Sequence, residues 1–212
     1  MKNITEYSFR DIAGHFLKMK FADGMNFLDP AFKEYVAYGY IDTEAGMTLE
    51  IIGGFKDGEI HRDPTSSNKV RFSDNILVEP YENPDEEMLE WAKIIEDNYT
   101  PDWIGSVRAD EKYDPYRDKA FPDDMLIPIN TIVDGERITE LLWIRPGTMH
   151  EDMLLGMTIE PGRMIPQGTV AAIVQISDFV GDMKYTISAM TMEMIKFVAE
   201  SDDPQSFFRQ LS

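Results

Sequence analysis

Residues 126–145 read LIPINTIVDGERITELLWIR, and this stretch carries the strongest indication of the fold. Two runs rich in aliphatic and β-branched residues, Leu126 to Val133 and Ile138 to Arg145, flank the dipeptide Asp134-Gly135. Both residues of an Asp-Gly pair tolerate the positive φ that a two-residue type I′ turn requires. The stretch therefore predicts a hairpin of two antiparallel strands.

A second Asp-Gly pair, Asp57-Gly58, lies between Ile52 and Ile60 and predicts another hairpin. Runs of aromatic and β-branched residues on both sides of these turns predict further strands. They are Tyr35 to Ile41, Met47 to Ile52, Lys69 to Phe72, Asn75 to Glu79, Met153 to Ile159 and Thr169 to Ser177. Short strands separated by turns are typical of antiparallel meanders.

The clearest helix is predicted from about Asp85 to Asp97, directly after Asn83-Pro84. Its apolar residues recur three and four positions apart and form one stripe: Met88, Trp91, Ala92 and Ile95. Similar spacing predicts helices from Ser8 to Lys20 and from Thr186 to Glu200, and a short one after Asp203-Pro204. Together these patterns predict an α+β fold in which antiparallel meanders pack with a few amphipathic helices.

The domain organisation depends on the stretch from Asn98 to Asp124, where four glycine and proline residues interrupt any periodicity. We expect an irregular segment there. A single α+β domain over residues 1–212 is the first prediction. The alternative is an N-terminal α+β half, 1–98, and a C-terminal α+β half, 125–212, joined by an acidic, aromatic-rich segment at 99–124.

The net charge of −19 is the unusual feature of the composition, since 43% hydrophobic and 28% charged residues are ordinary for a globular protein. Such a chain repels phosphate backbones, so we expect no direct nucleic-acid binding and favour a basic protein partner. The absence of cysteine excludes disulfides, thiolate metal sites and thiol catalysis. Neither a signal peptide nor a membrane span is recognisable, so we expect a cytoplasmic protein, in a bacterium or in the host of a phage that encodes it.

Most of the negative charge lies in the middle of the chain. Between Asp74 and Glu140 there are 19 acidic and 6 basic residues. Aromatic residues interleaved with carboxylates are typical of surfaces that bind basic proteins. We therefore predict a partner-binding surface there, formed by Trp103, Asp110, Glu111, Tyr113, Asp114, Tyr116 and Asp118.

Sequence motifs for catalysis are missing. The chain has no P-loop, no dinucleotide-binding glycine motif, no nucleophile elbow and no zincin motif. The carboxylates of the middle segment also fail the EF-hand pattern, so we expect no bound metal and no cofactor. His61 and His150 lie beside carboxylates and are the best candidates for acid–base chemistry, although no catalytic residue is assigned.

Residues 136–180 resemble a small bacterial domain of unknown function. The matching residues are Glu140 with Trp143, Gly156, Pro161 and the segment Ile176-Ser177-Asp178-Phe179, where the closing aromatic is Phe instead of Trp. Some relatives of such domains are similar to immunity proteins of bacterial toxin systems. The resemblance implies a binding role and transfers no functional residue.

The first functional prediction is therefore a non-enzymatic interaction protein, such as an immunity protein or a phage-encoded inhibitor, that binds and neutralises a basic protein. One alternative is a metal-assisted hydrolase that uses carboxylates with His61 or His150. Another is a structural subunit of a larger assembly, in which apolar patches form symmetric contacts. The sequence leaves the oligomeric state open.

Overall fold

A computed structural model describes residues 1–22, 28–62, 68–150 and 153–201 of the chain. With 24% helix, 48% strand and antiparallel sheets, it confirms the predicted α+β fold. The strands are β1 (Lys2–Asn3), β2 (Phe16–Phe21), β3 (Tyr35–Asp42), β4 (Gly46–Lys56), β5 (Glu59–His61), β6 (Asn68–Arg71), β7 (Ile76–Pro80), β8 (Met125–Val133), β9 (Glu136–His150), β10 (Met153–Thr158), β11 (Val170–Val180) and β12 (Met183–Thr191). The α-helices are α1 (Phe9–Ile12), α2 (Glu86–Tyr99), α3 (Asp102–Ala109) and α4 (Met192–Glu200), and Ile4–Glu6 and Glu111–Tyr116 form 3₁₀ helices.

The chain forms two compact units. The first comprises Met1–Pro101 with Lys119–Pro122, and the second comprises Asp102–Asp118 with the chain from Asp123 onward. The segment expected to join two halves is thus divided between the units. The single α+β domain and the alternative of two α+β halves both stay predictions.

The first unit is built on a seven-stranded antiparallel sheet whose order is β1-β7-β2-β3-β4-β5, with β6 also paired to β4. Successive residues of a strand point to opposite faces, and both faces of this sheet are covered. Tyr35 and Ala37 of β3 pack in the cluster that contains Ile4 and Ile12. Val36, Tyr38 and Tyr40 of β3 pack in the cluster that contains α2 residues Met88, Ala92 and Ile95. Because both faces are buried, β3 is a nearly continuous apolar run.

The predicted helix from Ser8 to Lys20 is wrong beyond its first turn. Helix α1 begins with a capping box between Ser8 and Asp11 but ends at Ile12. Gly14 follows with a φ of 81°, a conformation that glycine adopts readily and that ends the helix. The apolar residues from Phe16 onward belong to β2, where alternating side chains fill the two clusters.

The expected irregular segment from Asn98 to Asp124 is also wrong, because it contains helix α3 and a 3₁₀ helix. Pro101 immediately precedes α3, where a proline removes no helical hydrogen bond. Helix α3 spans only eight residues, so its apolar pattern reduces to Ile104 and Val107. Two turns are too short for a recognisable periodicity.

Both predicted Asp-Gly hairpins form. Asp57 and Gly58 have φ values of 54° and 86°, and Asp134 and Gly135 have 52° and 82°, as a type I′ turn requires. These turns join β4 to β5 and β8 to β9.

The second unit is a closed barrel with the strand order β10-β11-β12-β8-β9. Neighbouring strands are antiparallel except at the closure, where β12 pairs with β8 in parallel through Ala189 and Ile129. The predicted helix from Thr186 to Glu200 is therefore wrong in its first part, because residues up to Thr191 belong to β12 and α4 begins at Met192. The short helix predicted after Asp203-Pro204 lies outside the described residues.

The barrel core includes one side chain from a loop. Ile165, in the plug loop (residues 159–169, between β10 and β11), is 1% exposed and packs with core residues such as Ile127 and Ile144. The loop is held by Glu140, whose carboxylate accepts hydrogen bonds from the backbone N–H groups of Met164 (2.7 Å) and Ile165 (3.4 Å). Glu140 thus has a structural role.

Two buried carboxylates at the start of β8 pair with different arginines. The carboxylate of Asp123 accepts two hydrogen bonds from the Arg108 guanidinium, at 2.9 Å from Nε and 2.7 Å from Nη2. Asp124 forms the equivalent pair with Arg145, at 2.6 and 2.8 Å. These pairs connect the entry to β8 with α3 and β9, and they assign a structural role to the Asp-Asp sequence.

Candidate protein-binding surface

The three aromatic residues predicted to contact a partner lie against the barrel. Tyr113 is 8% exposed and belongs to the barrel core, and Trp103 and Tyr116 are partly buried against that core. The Tyr116 hydroxyl lies 2.9 Å from Thr186 Oγ1 and accepts a hydrogen bond from the Thr186 N–H at 3.1 Å. These rings therefore anchor the segment to its own unit.

Two of the carboxylates predicted for the same surface have cationic partners within the segment. Asp110 lies 2.7 Å from Lys112 Nζ, and this hydrogen-bonded pair lowers the pKa of Asp110. Asp114 pairs with Arg117 at 3.4 Å. Glu111 is exposed, and Asp118 is half-buried and donates its backbone N–H to the Asp124 carbonyl. Partner binding through these seven residues stays a prediction.

A stronger concentration of charge lies on α2. From its N-cap at Asp85 to its end at Tyr99, the helix carries six acidic residues and one lysine, Lys93. Two large apolar side chains, Leu89 (52% exposed) and Ile94 (61% exposed), lie among them. The buried stripe predicted from the sequence packs on the sheet, so the opposite face of the helix is acidic with apolar side chains.

A groove of about 480 Å³ runs along one side of this helix. Four of its residues, Glu87, Trp91, Ile94 and Asn98, are spaced by three or four positions and so share one face of α2. Its remaining lining comes from Glu50, Lys69, Glu90, Ile95 and Tyr99. Acidic, aromatic and apolar side chains thus meet in one concave site.

Lys69 occupies the part of the groove beside two tyrosines. Its ammonium donates a hydrogen bond to the Tyr99 hydroxyl at 2.8 Å and lies 4.8 Å from the centre of that ring. It lies 5.6 Å from the Tyr40 ring centre and 3.9 Å from a carboxylate oxygen of Glu50, which is 6% exposed. The hydrogen bond to Tyr99 is the largest cause of a raised Lys69 pKa. Lys69 is therefore a cation held by aromatic rings and a carboxylate.

Tyr40 adds a buried polar group next to this cluster. Its ring lies 4.6 Å from the Tyr99 ring, and the residue is 3% exposed. No described residue forms a hydrogen bond with its hydroxyl. Burial raises the pKa of Tyr40 to about 12. A buried donor without a partner is uncommon in folded proteins.

Replacing Tyr40 with phenylalanine is expected to leave stability at pH 7 unchanged or to raise it by up to about 1 kcal/mol, because an unpaired buried hydroxyl is removed. The folded-state pKa exceeds the ordinary value near 10, so ionisation of Tyr40 lowers the stability of the parent protein as the pH rises from about 10 towards 12, and Tyr40→Phe lacks this loss. Urea unfolding at pH 7 and at pH 11 measures both effects. A steeper alkaline loss in Tyr40→Phe than in the parent protein would contradict this assignment.

At the start of α2, Arg62 pairs with both Asp85 and Glu87. Asp85 also caps the helix by accepting a hydrogen bond from the Met88 N–H at 3.1 Å. That bond is the largest cause of its lowered pKa, and the Arg62 pair adds to it. The carboxylates of α2 therefore already bind a guanidinium group supplied by the chain itself.

The two histidines considered for acid–base chemistry, His61 and His150, are exposed. The His61 ring is exposed and lies 6.1 Å from the Phe32 ring. His150 is exposed at the rim of a second groove, of about 630 Å³, in the barrel unit. Among the described residues, no three His, Asp or Glu side chains are grouped as metal ligands.

Asp178, in the segment that resembles the bacterial domain, belongs to a buried network. It accepts hydrogen bonds from Asn130 at 2.7 Å and from Arg137 at 2.5 Å. Asn130 in turn accepts hydrogen bonds from Arg137 and from Thr139. Like Glu140, Asp178 stabilises the barrel; the resemblance itself stays a prediction.

No helix in the described ranges is both long and apolar enough to cross a membrane. Comparison of the chain with protein-family models, with curated proteins and with solved structures gave no match.

Proposed function

We propose that this chain is a non-enzymatic interaction protein that binds and neutralises a basic protein partner, in the manner of an immunity protein or a phage-encoded inhibitor. The observation that supports this most is the outer face of α2, where carboxylates surround exposed apolar residues and border a groove. The proposal places the main contact on α2, in addition to the segment of residues 103–118 predicted from the sequence.

The composition of this face suits tight binding as well as fast encounter. Carboxylates steer a basic partner towards the helix and raise the association rate, an effect that salt screens. Ile94 and Trp91, which line the groove, supply the apolar and aromatic contacts that contribute most of the binding energy in protein interfaces. A purely solubilising surface needs the carboxylates but does not need these apolar side chains among them.

The test uses the triple variant Glu86→Lys, Glu90→Lys and Asp97→Lys. These residues are exposed and have no ion-pair partner among the described residues. The partner is isolated by capture from its source lysate at low salt, purified, and titrated by calorimetry against each variant. We expect the variant to bind at least about 100-fold more weakly, because three charge reversals each cost on the order of 1 kcal/mol or more across an interface.

A matched control has the same change in net charge on the barrel unit: Glu136→Lys, Glu160→Lys and Asp182→Lys, all exposed. We expect this control to bind within about 10-fold of the parent, since these residues belong neither to α2 nor to the groove lining and exposed charges are screened by salt. If both variants lost the same amount of affinity for the partner, net charge alone would explain the loss, and a specific binding surface on α2 would be contradicted. A third variant, Glu111→Lys, tests the segment of residues 103–118 in the same titration.

A further inference from the structure

We infer that the groove along α2 receives the guanidinium group of an arginine side chain from the partner. This inference rests on the proposed function and adds the chemistry that the groove recognises. It follows from how the chain's own cations are held there.

Lys69 shows that the end of the groove stabilises a cation. Its ammonium lies over the Tyr99 ring, near the Tyr40 ring, and 3.9 Å from the carboxylate of Glu50. Aromatic faces attract cations through their quadrupole, and the attraction grows when water is excluded. Glu50 is 6% exposed, so its negative charge acts in a partly desolvated site.

The remaining lining still has room and charge for a second cation. Glu87 pairs with Arg62 and Glu50 lies 3.9 Å from Lys69, so Glu90 is the lining carboxylate that has no ion-pair partner among the described residues. Trp91 is partly buried and lines the same groove, where its indole can contact a bound cation.

An arginine fits this lining better than a lysine does. Its planar guanidinium stacks on aromatic rings, is weakly hydrated and pairs with carboxylates through two parallel hydrogen bonds. At the start of the same helix, the Arg62 guanidinium binds two carboxylates at once, Asp85 through one terminal nitrogen and Glu87 through the other. Arginine is also enriched among the residues that dominate protein interfaces.

The test titrates three small probes: the acetylated amides of arginine, lysine and citrulline. Citrulline has the shape of arginine without its charge. Binding is followed by NMR through the indole N–H signal of Trp91, which Trp91→Phe identifies among the three tryptophans of the chain. We expect arginine to bind with a dissociation constant on the order of 1–10 mM, lysine about threefold more weakly and citrulline at least tenfold more weakly.

Variants locate the site. Glu90→Gln is expected to weaken arginine binding about three- to tenfold. Lys69→Met retains the apolar stem and removes the competing ammonium, so it is expected to tighten arginine binding about fivefold. Lys196→Met, on the exposed surface of α4, makes the same charge change at a residue that does not line the groove and is expected to have no effect.

Equal binding of arginine and citrulline, or tightening by Lys196→Met as large as by Lys69→Met, would overturn the inference. If no probe shifts the Trp91 signal while the α2 triple variant still loses the basic protein, the arginine pocket is wrong and the proposed function stands. If the triple variant binds the basic protein as the parent does, the proposed function on α2 fails regardless of the probes.

Discussion

Replacing Asp123 with alanine is expected to lower the free energy of unfolding by about 3–5 kcal/mol, since it leaves a buried guanidinium without its carboxylate. Arg108 is 8% exposed and Asp123 is 5% exposed, and their two hydrogen bonds have good geometry. Taking a charge out of water costs several kcal/mol unless an opposite charge is held close to it. Urea unfolding followed by circular dichroism measures the loss.

The double variant Arg108→Met and Asp123→Leu separates the pair from the packing around it. Because it removes both buried charges and keeps apolar volume, we expect it to recover at least half of the stability lost in Asp123→Ala. A loss below about 1 kcal/mol in Asp123→Ala would place the pair in the same class as exposed ion pairs and contradict its buried geometry.

Replacing Ile165 with alanine is expected to cost about 2–5 kcal/mol, the range for truncating a fully buried aliphatic side chain. Ile165 is 1% exposed within the barrel core, although it comes from the plug loop. Thermal unfolding followed by near-ultraviolet circular dichroism measures the change in stability.

The neighbouring residue provides the control. Met164 is 48% exposed, so Met164→Ala is expected to change stability by less than about 0.5 kcal/mol. If both substitutions changed stability by the same small amount, the side chain of Ile165 would not contribute to the barrel core, and the prediction would be wrong.

The parts of the fold that the sequence predicts are those set by local chemistry. The turns at Asp57-Gly58 and Asp134-Gly135 form because their backbone conformations are intrinsic to these residues. Helix α2 forms where predicted because Asp85 caps it and its apolar residues recur three and four positions apart within a helix of 14 residues. In each case the residues that determine the structure are neighbours along the chain.

The wrong predictions arise where distant residues determine the structure. Apolar spacing from Phe16 to Met19 fits a helix or a strand, and pairing with β3 and β7 decides for the strand. The same holds for Ile187, which fits a helical stripe but lies in β12 because β11 and β8 pair with that strand. Strand pairings between distant segments cannot be predicted from the residue pattern of a single sequence.

Only part of the candidate site can be predicted from the sequence. The acidic residues and apolar stripe of α2 follow from its sequence, but the groove also needs Lys69, which contacts Tyr99 across 30 positions of the chain. The inward position of Tyr113 follows from packing against the barrel, and a run of alternating aromatic and acidic residues does not distinguish an anchored segment from an exposed one.

The parallel closure of the barrel has a consequence for synthesis on the ribosome. Strand β8 is synthesised about 60 residues before β12, so Ile129 can pair with Ala189 only when Ala189 has left the exit tunnel. At about 5–20 residues per second, the nascent chain holds an open strand edge for several seconds. An open edge recruits other chains, and carboxylates such as Asp110, Glu111 and Asp114, which emerge just before β8, repel neighbouring nascent chains during that interval. We therefore expect part of the negative charge to limit aggregation before the barrel has closed.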